Sequence, residues 1–153
     1  AVVDCIATLR GNAWNVMKTP GLELVDLSEP GGCPIRLQLI ASSELVKKSP
    51  ETAERFTRAI VKAAAYLSEQ HDKAVDEIAE GAAIEGSLAR KLMDTLSYEV
   101  SLGPALVSTM EAQGRWFQEA GYAKKGEPAA IHGELMYPGA LRTVRPEAVT
   151  LPP

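Results

Sequence analysis

The chain has 153 residues, 46% apolar and 24% charged, a profile that fits an ordinary globular protein and excludes a disordered, collagen-like or coiled-coil chain. Sixteen basic against twenty acidic side chains give a net charge of −4, and the basic residues form no block longer than Lys47-Lys48 or Lys124-Lys125, so nucleic acid is not an expected partner. No apolar run approaches the roughly 20 residues that a bilayer-spanning helix needs, and the length favours one hydrophobic core.

The first residues, Ala1-Val2-Val3-Asp4-Cys5-Ile6-Ala7, lack an initiator Met and read as a strand already under way. That is the pattern of a fragment or processed chain, so the missing signal peptide leaves the compartment open. Val2 to Leu9 is rich in β-branched and aliphatic residues and ends at Arg10-Gly11, as a buried strand and its turn would. Asn12 to Lys18 can form a short helix stopped by Thr19-Pro20-Gly21. Leu22 to Leu27 alternates apolar and polar residues and closes at Ser28-Glu29-Pro30-Gly31-Gly32. A third strand is predicted from Ile35 to Ala41, with Ile35, Leu37, Leu39 and Ala41 on one face.

Beyond Ser42 the periodicity becomes helical. Ser43 to Lys48 reads as a short helix, and Ser49-Pro50-Glu51 combines a cap, a residue suited to the first helical position and a charge suited to the positive end of the dipole. From there Ala53, Phe56, Ile60, Ala64 and Leu67 form an apolar stripe at helical spacing. Further helices are predicted over Asp72–Ala82, with Val75, Ile78 and Ala79 inward, and over Ser87–Leu96, with Leu88, Leu92 and Met93 inward. Another runs from Pro104 to Ala120, with Leu106, Val107, Met110 and Phe117 on its core side and Gly121 placed to end it. In the Pro- and Gly-rich tail, Glu134 to Leu141 can form one more short helix. The divisions are thus residues 1–42, 43–125 and 126–153.

Local catalytic signatures such as GxSxG, SxxK and HExxH are absent, and no catalytic residue is assigned. Cys5 and Cys33 fit no CxxC or Cys/His spacing; they can pair in an oxidising compartment, or Cys5 can be a small buried thiol among strand residues. His71 reads as a helix-terminal residue favoured by the dipole. His132 stands alone in the tail, so no metal site and no cofactor are expected. Asp76, Glu77 and Glu80 read as a solvated helix face. Gly31-Gly32 precedes a strand rather than a helix, which argues against a phosphate cradle.

Ligands in open α/β sheets gather at the carboxyl ends of strands, and here that position holds Thr8, Arg10, Gly11, Asn12 and Trp14. Arg10 offers forked donors for an oxyanion, Asn12 and backbone N–H groups offer neutral donors, and Trp14 offers an apolar wall. This set suits a small anionic solute. The competing reading makes Arg10 a surface charge and Trp14 a packing residue.

The run Leu39-Ile40-Ala41-Ser42-Ser43-Glu44-Leu45-Val46-Lys47-Lys48-Ser49-Pro50-Glu51-Thr52, followed by Phe56, Ala59, Lys62 and Ala63, resembles the ABC-transporter solute-binding proteins of the nitrate, sulfonate and taurine group. That group includes relatives binding thiamine pyrimidine precursors. The resemblance continues through Asp72 to Ile78 and through Ala120-Gly121-Tyr122, and Val3-Asp4-Cys5 looks similar to the family's Val-Asp-Ala strand. The family's aromatic, acidic and proline positions after that strand correspond to Leu9, Arg10 and Gly11, a departure that favours an anion.

The resemblance implies an α/β chain that forms part of a two-lobed periplasmic-binding-protein-like fold (type II), helix-rich after residue 42. Residues 1–42 would supply strands and the hinge side of a lobe, residues 43–125 the helical part of the lobes. It further implies a small-molecule solute, a membrane permease as partner and a missing N-terminal lobe of the same protein. The implied location is periplasmic or extracellular, with lipid anchoring through an absent N-terminus compatible with it. An enzyme on the same scaffold, of the desulfinase or pyrimidine-precursor synthase type, is the alternative, with Cys5 or His132 serving as nucleophile or base. If Arg10 pairs with an anionic solute, Arg10→Ala is expected to weaken binding in the intact protein by about 1–3 kcal/mol, and calorimetry returning unchanged affinity would contradict that role.

Overall fold

The computed structural model describes residues 19–23, 36–122 and 135–151. Two compact units make up the chain, one comprising Ala1–Leu39 and Asp72–Leu96, the other Ile40–His71 and Ser97–Pro153. Beyond Ser42 the described residues are mainly helical, as the periodicity predicts.

The strand expected over Val2–Leu9 and most of that over Leu22–Leu27 lie outside the described residues. Of the strand expected over Ile35–Ala41, residues 36–41 are described, and they form neither helix nor ladder, with Leu37 and Ile40 90% exposed or more. Alternating apolar residues fit one face of a pleated segment, but a strand also needs a neighbour for its backbone N–H and C=O groups. Among the described residues no strand is present to supply one.

Helix α1, Ser43–Lys48, starts where the Ser42 hydroxyl accepts the Leu45 N–H at 3.1 Å. Glu44 in its first turn and Lys47 and Lys48 in its last oppose the two ends of the helix dipole, and Lys48 pairs with Glu44 at 2.8 Å. Pro50 ends this helix and opens the next, because a residue before proline is driven out of the α region. Ser49 accordingly sits at φ −142°, ψ 57°.

Helix α2 is Pro50–Glu69. Ser49 caps it through its carbonyl, which accepts the N–H groups of Thr52 at 3.0 Å and Ala53 at 3.4 Å, and not through the side chain as expected. Its backbone lies away from the extended ψ of a side-chain cap, so the hydroxyl makes no cap bond. Along the predicted stripe Ala53 is buried and Ile60, Ala64 and Leu67 are half-buried, whereas Phe56 is 57% exposed. Three residues advance a helix by about 300°, which puts Phe56 some 60° to one side of Ala53. It therefore sits on the edge of the stripe.

Helix α3, His71–Gly81, and helix α4, Gly86–Met93, follow. Ala74 and Val75 of the first and Ala89 and Met93 of the second are buried, and Arg90 reaches Asp72 at 2.7 Å. The α4 helix stops three residues before the expected Leu96, which is 55% exposed. Ile78, expected inward, shares the face of Ala74 and Val75 but is 36% exposed.

Helix α5 is Pro104–Glu119. Leu106, Val107 and Met110 are half-buried on it, and Phe117, expected on the core side, is exposed. Two helix ends use the same closure. At the end of α5, Tyr122 N–H donates to the Phe117 carbonyl at 2.9 Å and Gly121 N–H to Gln118 at 3.2 Å, with Gly121 at φ +78°. At the end of α3, Ile84 N–H donates to Ala79 at 3.0 Å and Ala83 N–H to Glu80 at 3.2 Å, but the left-handed position is Ala83, at φ +52°.

In the second unit, helix α6, Gly139–Val144, packs along α2 and buries Ala140 and Leu141. The sequence suggests Glu134–Leu141 for this helix. Pro138 explains the shift, since it lacks an N–H and disfavours α conformation at Tyr137, so the helix can only follow it. A 3₁₀ turn, Pro146–Ala148, continues the chain. Beyond it Leu102 and Val149 form an isolated parallel bridge, with Leu102 N–H donating to Ala148 at 2.8 Å and Thr150 N–H to Leu102 at 2.9 Å. The approach is close enough that a Cβ on Gly103 would stand 2.9 Å from the Thr150 hydroxyl.

The shared closure separates left-handed strain from packing. Ala83→Gly is expected to stabilise the protein by about 0.5–1 kcal/mol, and Gly121→Ala to destabilise it by about 1 kcal/mol, in urea melts. A destabilised Ala83→Gly variant would contradict the strain assignment. Ser42→Ala removes the only side-chain cap of α1 and is expected to cost about 0.5–1 kcal/mol in the same assay. No loss in that variant would mean that the α1 cap contributes nothing.

Candidate functional site

The residues singled out as a solute site, Thr8, Arg10, Gly11, Asn12 and Trp14, lie outside the described residues, as do Cys5, Cys33 and His132. Asp76, Glu77 and Glu80 are exposed, and Lys73 stands 3.8 Å from Glu77, consistent with a solvated face. His71 is the first residue of α3, not the last of a helix. It directly follows Gln70, the C-cap of α2, and so stands between the negative end of one helix dipole and the positive end of the next.

The described residues build a depression inside the second unit. It is open, has a volume of about 370 Å³, and is lined by Ala64, Ala65, Ser68, Glu69, Ser97, Tyr98, Glu99 and Arg145. Three separate stretches meet there. The last turns of α2 supply the small side chains of Ala64 and Ala65 and the polar Ser68 and Glu69. The Leu102–Val149 bridge ties the segment after Ser97 to the segment after Arg145, and α6, seated on α2, delivers Arg145 at its C-cap.

The electrostatics are mixed. Glu69 lies in the last turn of α2, where no basic side chain offsets the negative end of the dipole. Glu99 adds a second carboxylate, and Arg145 is the cation of the lining. Arg145 Nε donates to Glu147 Oε1 at 3.0 Å, which steadies the guanidinium. Ser68 donates to the Ala64 carbonyl at 3.1 Å, a bond back onto its own helix, so this hydroxyl is not paired with a base. Such a wall can hold a small polar group through charge and hydrogen bonds. Among the described residues no cluster of three or more His, Cys, Asp or Glu side chains is suited to a metal ion.

The sequence reading passed over Glu69, Tyr98, Glu99 and Arg145. A local signal exists for one of them: in Arg145-Pro146-Glu147 the proline turns the chain so that charges two residues apart can meet. Nothing local shows that residue 145 would face the end of a helix some 75 positions earlier, which depends on tertiary packing.

Comparison with known proteins gives no support from similarity: no protein-family model, curated protein or solved structure matches the chain. Among the described residues no helix is long and apolar enough to cross a membrane.

The Glu147 carboxyl is held below its ordinary value, first by its own backbone N–H and then by Arg145. A lowered carboxylate pKa contributes stability that is present above the unfolded value and is lost as pH falls through the folded one. Carbon-detected NMR titration is therefore expected to place Glu147 below an ordinary glutamate, with Arg145→Ala raising it only part of the way. A full return to the ordinary value in that variant would show that the backbone bond is not the larger cause.

Proposed function

We propose that the chain is part of the extracytoplasmic solute-binding component of an ABC importer, taking a small anionic solute such as a sulfonate, taurine or nitrate and performing no covalent chemistry. The observation that carries the reading is the helical segment at the residues that bear the family resemblance. Ser42 caps α1, Pro50 opens α2, and α2 runs unbroken to Glu69 through Phe56, Ala59, Lys62 and Ala63. The family pattern there is one of capping and helix spacing, so its formation at these residues supports the reading.

A second observation is compatible with a two-lobed α/β protein of the periplasmic-binding type. The chain passes between its two compact units three times, after Leu39, after His71 and after Leu96. Several crossings are compatible with a hinge between lobes, whose motion a few loop or element-terminal residues can absorb. In this reading the solute contacts are Thr8, Arg10, Gly11, Asn12 and Trp14, the partner is a membrane permease, and the location is periplasmic or extracellular.

The test is a thermal-shift screen of the full-length protein against nitrate, taurine, alkyl sulfonates and pyrimidines. A solute that binds only the folded state stabilises it by about 2.7 kcal/mol at a hundred times its Kd, which is a rise of several degrees. An anion in the panel is expected to give that rise. No rise with any member would contradict the assignment, and a rise with pyrimidines alone would move it to the precursor-binding relatives.

A further inference from the structure

We draw no further inference here: the strongest candidate, the exposed aromatic cluster of Trp116, Phe117 and Tyr122 at the C-terminal end of α5, with ring centroids 5.3–6.2 Å apart, is an unpartnered apolar face, and nothing in the structure shows what covers it.

Discussion

The seating of α6 on α2 is the contact on which the described part of the second unit depends. The two helices are in contact, and Ala53 on the long helix and Ala140 and Leu141 on the short one are buried. Burying a leucine contributes on the order of 1.5–3 kcal/mol. Thr143 lies 3.4 Å from Glu54, a polar edge to the same contact. Because α2 and α6 are far apart in sequence, this packing closes a long loop, and the depression at the end of α2 exists only once it has formed. Arg145, at the C-cap of α6, then lines that depression together with Glu69 and Glu99.

What could be read from the sequence was what local chemistry decides. Ser42 and Pro50 mark two helix starts, Gly121 marks one helix end, and the helices over 43–69 and 104–119 follow from them with their boundaries nearly in place. Elsewhere a competing local rule prevailed. Pro138 delayed the start of the last helix to Gly139, five residues after the expected Glu134, and the angular position of Phe56 put a large apolar residue on the rim of its stripe. The segment 36–41 failed for a different reason. Its alternation describes a face, and pairing is a property of a neighbour that periodicity does not contain. The candidate site was hardest to read, because Glu69, Glu99 and Arg145 gain a shared setting only through tertiary contacts.

The proposed binding role and the depression in the second unit are separate matters. The proposal places the solute at Thr8 to Trp14, where an arginine fork, an amide and an indole share the end of an expected strand. The depression is a mixed-charge wall in a scaffold built by α2 and α6. Its carboxylates outnumber its one guanidinium, and that guanidinium is already held by Glu147, so its charge does not duplicate the anion-favouring set. A binding protein needs such scaffold helices to be rigid, since the geometry of its contacts is inherited from the elements that carry them.

Hydrogen exchange on Leu141→Ala tests most directly whether α6 holds α2 in place. If it does, the amides from Ala53 to Leu67 and those of Gly139–Val144 lose protection together, because truncating a buried leucine costs about 2–5 kcal/mol and exposes both partners. Loosening confined to Gly139–Val144, with α2 as protected as before, would contradict the account and leave the long helix supported by something else.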